Sequence, residues 1–351
     1  MATTVDVPTR DAARPPARSM RARRLATLAL LLVLVVGAAL ASIAVGTRSI
    51  GLGDVWQALL DGDLASEEAV IVRQLRVPRT ALGLLVGLAL GIAGALMQGH
   101  TRNPLGDPGL LGVTAGASLA VVLAISVLGL TSPSDNVWFA FAGALAGTVL
   151  VYAIGSAGRG GATPLTLALA GAALSALLYA LVRAILVSDE QTLESFRFWV
   201  VGSLAGRGAD VAWQVGPFIA LGLVLALANA PALNLLGLGE DVARGLGQRI
   251  WLARVVGLAA ITLLCGAATA ACGPIAFLGL VVPHMVRALT GPDHRWLLPC
   301  SGLLGAALLL AADVIGRVVA RPGELQVGIV LALVGAPFFI ALVRRVRTAG
   351  L

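Results

Sequence analysis

Lysine is absent from this 351-residue sequence. A P-loop needs a lysine to reach the terminal phosphates of its nucleotide, so we do not expect this chain to hydrolyse ATP. The sequence also lacks a His/Glu metal pair at helical spacing and a Gly-x-Ser-x-Gly nucleophile motif. Cysteine is scarce: Cys265, Cys272 and Cys300 lie in or beside apolar segments without metal-ligand spacing, which favours small hydrophobic side chains. These absences predict a chain that is not an enzyme and binds neither a metal nor a cofactor of its own.

Charge is also scarce. Charged residues form 12% of the chain and hydrophobic residues 58%, with a mean hydropathy of +0.93. Soluble domains carry roughly a quarter charged residues, so these values indicate a membrane protein. All 25 basic residues are arginines, and the net charge is +7. Nucleic-acid binding is the alternative explanation of that charge, but the arginines lie in loops and tails around apolar runs, which favours a lipid membrane as the partner.

Ten apolar runs follow one another along the chain, and a helix that crosses a bilayer needs roughly 20 mostly apolar residues. The sequence therefore predicts an all-α, polytopic bundle of about ten transmembrane helices over residues 25–347. We expect residues 1–24 to be a disordered basic tail and residues 348–351 a short C-terminal tail. The first run exceeds the roughly 7–15 apolar residues of a signal peptide, so we interpret it as a helix. The predicted runs are 25–45, 80–98, 110–130, 137–157, 165–187, 216–230, 252–271, 275–289, 297–316 and 326–343.

The arginines are divided unevenly between the two sides of such a bundle. With both termini inside, the inner segments hold fourteen arginines and the outer segments seven, not counting Arg317, which directly follows the ninth run. Basic loops are retained in the cytoplasm, so both termini are predicted to be cytoplasmic, which requires an even number of spans. The run at 275–289 is short and follows Gly273-Pro274, which indicates a broken or tilted span that other parts of the protein would have to cover.

Small residues recur at four-residue spacing, as in Gly83-Gly87-Gly91 and Gly143-Gly147. This spacing lets membrane helices approach closely, and bundle packing is the simplest explanation for it. Helices 2–5 and 7–10 could form an inverted repeat, because an offset of five spans reverses the direction of each helix.

Asp313 is the one acidic residue within the predicted spans. Arg317 follows at i+4 on the same helix, and an unpaired charge there would cost at least ~2.5–3.5 kcal/mol. We therefore favour a structural Asp313–Arg317 salt bridge over a proton site. Ion-coupled transport usually places carboxylates at mid-membrane, so one paired acid gives it little support.

Two polar segments could bind partners. The inner loop 234–249 mixes apolar residues, charges and glycines, and its short helical pieces could lie on lipid or dock a cytoplasmic protein. On the outer side, Arg73, Arg76 and Arg79 are spaced by three before the second span. These arginines could anchor to lipid headgroups or pair with carboxylates of a partner.

Seven motifs carry a family resemblance. They are Arg76-Val-Pro-Arg-Thr80, Gly94-Ala-Leu-Met-Gln98, Arg102-Asn-Pro-Leu-Gly-Asp-Pro-Gly-Leu-Leu-Gly112, Leu238-Gly-Glu-Asp-Val-Ala-Arg-Gly-Leu-Gly247, Gly273-Pro-Ile-Ala-Phe-Leu-Gly-Leu-Val-Val-Pro-His284, Asp293-His-Arg295 and Gly335-Ala-Pro-Phe338. Because these motifs occur in this order over residues 25–347, the chain resembles the permease subunits of the ferric-siderophore, haem and vitamin B12 importers. These are the type II ATP-binding-cassette (ABC) importers of the bacterial inner membrane.

The resemblance implies ten helices in each of two permease subunits, identical or merely similar, around a central pathway. It implies two cytoplasmic ATPase subunits, which use ATP and Mg²⁺, and a substrate-binding protein outside. The loop 233–248 would dock on the ATPase, with Leu238, Gly239, Glu240, Ala243, Arg244 and Gly247 as its coupling residues. Arg76, Arg79 and Arg317 would dock the binding protein. The cytoplasmic gate would fall on Asn103, Leu105, Thr163, Pro164 and Leu165.

The implied function is import of a ferric siderophore, or of a similar chelate such as haem or cobalamin, through a pore without catalytic residues. An ion-coupled secondary transporter or exporter is the alternative, and membrane carboxylates would favour it. A membrane-bound enzyme would need a nucleophile or metal cluster that the sequence does not offer.

Overall fold

The chain is built from α-helices joined by short segments. A computed structural model describes residues 17–46, 50–60, 66–157 and 163–348. The predicted tail segments 1–16 and 349–351 lie outside the described residues, as do Arg48 and Arg159. The helices are α1 (Ala17–Ala44), α2 (Leu52–Leu60), α3 (Glu67–Val70), α4 (Val77–Thr101), α5 (Val113–Leu128), α6 (Pro133–Ser156), α7 (Pro164–Ser188), α8 (Glu190–Val200), α9 (Ala209–Leu236), α10 (Glu240–Gly245), α11 (Ile250–Cys272), α12 (Leu278–Thr290), α13 (His294–Val319) and α14 (Val327–Thr348).

The predicted all-α membrane bundle is confirmed. Among the described residues, seven helices are long and apolar enough to cross a membrane, namely α1, α4 with its α3 extension, α6, α7, α9, α11 and α13. Three shorter apolar helices, α5, α12 and α14, complete the set. Each of these helices overlaps one predicted apolar run, so the chain is a multi-pass membrane protein.

The helices extend beyond the predicted runs at several ends. α1 begins at Ala17, so residues 17–24 of the predicted disordered tail are helical. The Arg23 and Arg24 side chains fix this first part of α1, because they donate to the Ala288 and Thr290 carbonyls at 2.8 and 3.0 Å. A π-helical turn, Ile71–Arg76, joins α3 to α4 and lengthens the second span. Hydropathy located only the apolar part of each helix, whereas backbone hydrogen bonding continues through polar turns.

The spans alternate in direction and define two ends of the bundle. One end carries α10, the start of α1 and the end of α12. The opposite end carries α8, the loop 201–208 and the end of α13. We call them the α10 end and the α8 end. α14 starts at the α8 end, where Gly328 N donates to Gly202 O at 3.1 Å. Residues 17 and 348 therefore both lie toward the α10 end, as an even number of spans requires.

The centre of the bundle is α4, and glycines set how closely its neighbours approach. A Cβ at Gly87 would lie 2.6 Å from the Ala306 Cα of α13, and one at Gly94 would overlap the Gly279 carbonyl of α12. In the second predicted stripe, a Cβ at Gly147 would lie 2.5 Å from the Gly112 carbonyl. These contacts confirm that the four-residue spacing of small residues serves helix packing.

The packing agrees with the predicted inverted repeat. In the first half α5 packs on α6 and α7, and in the second half α12 packs on α13 and α14. The halves also exchange neighbours, because α4 packs on α12 and α13 while α11 packs on α5 and α6. α4 runs from the α8 end to the α10 end and α11 runs back, so the two halves have opposite directions.

The predicted broken span is non-helical over residues 273–277, and α12 begins three residues later than the predicted run, at Leu278. Gly273 has φ +80°, where a side chain would be strained, and its Cβ would overlap the Trp199 carbonyl. Neighbouring segments supply the missing backbone partners, as Ser203 N donates to Cys272 O at 2.7 Å. Irregular backbone at this depth is tolerated because protein covers it.

Candidate functional sites at the two ends of the bundle

The buried carboxylate Asp313 lies at the α8 end between two arginines. Arg317 Nη2 is 3.1 Å from Asp313 Oδ2, which confirms the predicted i+4 salt bridge. The second partner, Arg79, was not predicted from the sequence; its Nη2 is 2.8 Å from Oδ1 and its Nε is 3.1 Å from Oδ2. Arg79 Nη1 also reaches Glu324 at 2.8 Å. Two guanidiniums therefore pair with the Asp313 carboxylate, and their positive charges offset the cost of burying it.

Three arginines cap the C-terminal end of α1. The last carbonyls of a helix have no partner within it. Arg76 Nη1 donates to Ile43 O and Ala44 O at 2.7 and 2.8 Å. Arg317 Nη1 donates to Ser42 O at 3.0 Å. Arg321 donates to Gly46 O at 2.5 Å. Positive charge is favourable at a helix C-terminus, so these contacts give the arginines a structural role at the end of the bundle that the sequence predicts to be the outer one.

The three predicted docking residues differ in how exposed they are. Arg76 is only 6% exposed and Arg317 only 3%. Both side chains donate hydrogen bonds to acceptors within the chain, so they are not free surface cations. Arg79 is partly exposed and lies with Glu324 on a cavity of ≈ 590 Å³ at the α8 end. All three predicted docking arginines line this cavity, and Arg79, whose guanidinium pairs with Asp313 and Glu324, is the most exposed of them.

At the α10 end, the predicted inner loop forms the short helix α10 between two glycine turns. Gly239 has φ +110° and Gly247 has φ +83°, backbone conformations that side chains rarely adopt. Ala243 is fully buried against Leu236 and Ala253, which holds one face of α10 on the bundle. Three apolar side chains on and beside α10 are at least half exposed and form what we call the α10 stripe, namely Leu238, Val242 and Leu246.

Glu240 ties α10 to two long helices. Its Oε1 accepts from Arg102 Nη2 at 3.1 Å and from Arg254 Nη2 at 2.5 Å. Its Oε2 lies 3.6 Å from Arg244 Nη2, so the predicted coupling pair is an intrahelical contact. Arg102 is the C-cap of α4 and Arg254 belongs to α11. Through these two ion pairs, Glu240 connects α10 to the end of α4 and to the start of α11.

The predicted gate residues lie on two segments at the same end. Asn103 Oδ1 accepts from Leu105 N at 2.9 Å, which closes a turn directly after Arg102. Thr163 caps α7 reciprocally with Thr166, and Pro164 occupies the first helical position. Pro164 shares a cavity of ≈ 50 Å³ with Thr101 and Arg254, and Leu165 is exposed. The structure thus brings the start of α7 beside the end of α4, while residues 158–162 lie outside the described part.

A polar network anchors the base of the α10 loop. Asn234 Nδ2 donates to Asp293 Oδ1 at 2.8 Å, and Asn234 Oδ1 accepts from the His294 backbone at 2.9 Å. Arg24 Nη1 reaches Asp293 Oδ2 at 3.3 Å. Burial tends to raise the pKa of Asp293, but the hydrogen bonds from Asn234 and the Arg295 backbone, with the charge of Arg24, hold it below its ordinary value. The network joins α1, α9 and α13 at one point.

Sequence reasoning missed the partners that come from distant elements. Arg79 and Asp313 are 234 positions apart, and Arg102 and Glu240 are 138 apart. Cys265, Cys272 and Cys300 are buried and unpaired, in line with their interpretation as hydrophobic side chains. Within the described ranges, no three His, Cys, Asp or Glu side chains converge as a metal site would need.

This geometry defines a membrane transport permease, in which helices packed through glycines surround neutralised charges and a short helix on one end is linked to the spans. A protein-family model described as the FecCD transport family matches residues 30–345. The chain therefore belongs to the FecCD transport family.

Named relatives and a solved structure agree with this assignment. The chain is 47% identical to the ferric enterobactin transport system permease protein of Escherichia coli, over 93% of this chain and 97% of the relative. It is 44% identical to the Fe(3+)-citrate import system permease protein of Bacillus subtilis, over 87% and 90%. It is 38% identical to the hemin transport system permease protein of Yersinia pestis, over 91% and 96%. An inward-facing structure of a metal-chelate type ABC transporter matches with a TM-score of 0.80 at 30% identity, covering 91% of this chain and 98% of that one.

Proposed function

We propose that this chain is the membrane subunit of an ATP-driven importer in the bacterial inner membrane that carries a ferric siderophore or a similar metal chelate into the cytoplasm. The names of its relatives support this class of cargo, since they are transport proteins for ferric enterobactin, ferric citrate and hemin. The proposal that an ATPase drives transport rests on the exposed apolar stripe of α10. Ion pairs link this helix to α4 and α11.

The α10 stripe fits a protein partner better than a lipid surface. α10 has six residues, and such a short helix buries too little apolar area to hold itself at a membrane. Apolar side chains rimmed by charged Asp241 and Arg244 suit a groove on another protein. We assign this stripe to an ATPase subunit that binds and hydrolyses ATP with Mg²⁺, a reaction for which this lysine-free chain has no P-loop.

The link from α10 to the gate is short. Glu240 holds Arg102, and Arg102 directly precedes the turn of Asn103 and Leu105. Arg254, the other partner of Glu240, shares a cavity with Pro164. We propose that movement of the ATPase displaces α10, and that Glu240 transmits this displacement to both gate segments, 103–105 and 163–165.

Uptake into sealed vesicles tests the proposed function. The transporter, purified through a tag on the full chain from its native membrane, should contain an ATPase subunit and two permease chains, the same or homologous. Vesicles that hold it should accumulate radioactive iron as ferric siderophore only when the ATPase side receives ATP and Mg²⁺. Uptake that needs no ATP and stops when a proton gradient is dissipated would favour the ion-coupled alternative and overturn this proposal.

Orientation is predicted with the α10 end in the cytoplasm. By the predicted spans, fourteen arginines lie on that side and seven on the other, or eight with Arg317. Two matched acidic positions test this in a variant without the native cysteines: Asp241→Cys on α10, where the aspartate is 99% exposed, and Glu190→Cys on α8. An impermeant thiol reagent added to intact cells should label only the cysteine at position 190. Labelling at position 241 alone would reverse the topology.

Docking of the substrate-binding protein is proposed at the α8 end, with Arg79 as the contact among Arg76, Arg79 and Arg317. Glu324→Gln would release Arg79 Nη1 while leaving the Asp313 pair intact. If Arg79 pairs with a carboxylate of the binding protein, docking should tighten by up to about fivefold, about 1 kcal/mol for a partly exposed ion pair. Affinity of the binding protein for the permease in nanodiscs measures this.

The control for this docking prediction is Glu190→Gln, which removes the same charge from the same end without touching Arg79. Equal tightening by both variants would show that the binding protein responds to the total charge of the α8 end and not to Arg79 in particular. No change with Glu324→Gln would leave Arg79 with a structural role only.

A further inference from the structure

Arg207 differs from its neighbours at the α8 end because no acidic side chain among the described residues pairs with it. It lies in the loop 201–208 and lines two cavities, of ≈ 260 and ≈ 590 Å³. Its Nε is buried, and no acceptor among the described residues bonds to it. The neighbouring Arg79 and Arg317, by contrast, share Asp313. Burial lowers the pKa of Arg207.

Two further polar groups on the smaller cavity are unsatisfied. Trp199 is 5% exposed, and its Nε1–H meets no acceptor in the described part of the chain. Asn136 is 4% exposed; its Nδ2 donates to Leu130 O at 3.2 Å, whereas its Oδ1 accepts nothing from the residues that the structure describes. Buried polar groups are normally hydrogen-bonded, because leaving one unpaired costs roughly 1–3 kcal/mol. Both residues line the same cavity as Arg207.

The donors and acceptor of Arg207, Trp199 and Asn136 indicate which chemical groups a ligand of this cavity would carry. A guanidinium binds carboxylates and similar oxyanions through its fork of N–H donors. The indole N–H adds another donor to an oxyanion, and the Asn136 Oδ1 suits a hydroxyl group on the same molecule. A small solute can enter a cavity of ≈ 260 Å³ and reach Trp199 and Asn136, which are more than nine-tenths buried, whereas the surface of a folded protein partner cannot reach these two side chains.

We propose that Arg207, Trp199 and Asn136 form a contact site for an oxyanion group, carboxylate or phenolate, of the transported solute. This assignment rests on the proposed function, because it takes the solute to be a chelate that enters at the α8 end. The site favours anionic chelates over chelates whose metal-binding core is uncharged.

Equilibrium binding of two ferric probes to the full chain in nanodiscs tests the site. The anionic probe is a ferric tricatecholate, and the uncharged probe is a ferric trihydroxamate; radioactive iron reports the bound fraction without a binding protein present. The wild-type chain should bind the tricatecholate saturably. Arg207→Gln should weaken that binding roughly tenfold or more, because charge-assisted hydrogen bonds are lost. Trp199→Phe, which removes only the N–H donor, should weaken it less, and neither substitution should alter binding of the trihydroxamate.

Arg197→Gln is the matched control, because this exposed arginine of α8 carries the same charge and is already paired with Glu194 at 2.8 Å. Absence of saturable tricatecholate binding overturns the site, as does equal weakening by Arg197→Gln or equal weakening for both probes. Binding that needs the binding protein would assign Arg207 to protein docking instead. ATP-driven iron uptake by the same preparation is measured separately, so a failed site and a failed transport function give different results.

Discussion

Replacing Gly94 with alanine is expected to prevent the bundle from assembling. The added Cβ would overlap the Gly279 carbonyl and lie 2.5 Å from the Gly279 C and Cα atoms. Backbone on both sides leaves no flexible side chain to move aside, so α4 and α12 would have to separate. Overpacking of a tight core typically costs 1–3 kcal/mol, and a backbone clash at the central helix should cost about 3 kcal/mol or more. We expect loss of the monodisperse peak in size-exclusion chromatography.

Gly37→Ala in α1 is the control for this prediction. A Cβ at Gly37 would meet nothing within 4 Å, and alanine is a better helix former than glycine by about 1 kcal/mol. This variant should express as well as the wild type and melt at the same or a higher temperature. If Gly94→Ala also behaved in this way, close packing of α4 on α12 could not be what fixes the bundle.

Replacing Glu240 with glutamine is expected to separate ATP hydrolysis from uptake. Glutamine keeps the shape of the side chain but removes the charge that holds Arg102 at 3.1 Å and Arg254 at 2.5 Å. These groups are partly exposed, so each pair contributes at most about 1 kcal/mol after screening by solvent. Losing both should reduce uptake roughly tenfold, since 1.4 kcal/mol corresponds to a factor of ten. ATP hydrolysis should continue, because the stripe of α10 that we assign to the ATPase is unchanged.

The control Asp241→Asn tests whether uptake depends on the position of the carboxylate on α10 or only on the net charge of that helix. This carboxylate belongs to the same helix and is fully exposed, and among the described residues it pairs only with Arg244, at 3.3 Å. Uptake by this variant should stay near the wild-type rate. A Glu240→Gln transporter with normal uptake per ATP hydrolysed would remove the proposed link between α10 and the gate. Purified vesicles allow both rates to be measured on one sample.

Patterns within single segments predicted much of this molecule. Ten apolar runs became ten apolar helices, since hydropathy reports which stretches can replace water with lipid. The Asp313–Arg317 pair followed from i+4 spacing within one helix. The glycine spacing in α4 identified a close-packed face, and the mixed loop 234–249 identified a segment set apart from the spans.

The roles of the outer arginines were not predictable in the same way. Sequence placed Arg76 and Arg317 near the outer side and suggested partners outside the chain. The structure adds partners within the chain, because both arginines also donate to carbonyl groups at the end of α1, at Ser42, Ile43 and Ala44. Backbone carbonyls leave no mark on the sequence, because every residue has one. The need for a cap became visible only when the end of α1 was placed beside α4 and α13.

The sequence by itself determined the class of protein, the number and order of its spans and the absence of a P-loop, because composition and periodicity are local properties. Tertiary structure decided which charges meet. Arg79 reaches Asp313, and Glu240 reaches Arg102 and Arg254, because glycine contacts fix how α4 lies against α12 and α13. The same packing leaves Arg207 beside two cavities without an acidic partner among the described residues. Pairing depends on distances of a few ångströms between helices, and those distances are set by the packing of the whole bundle.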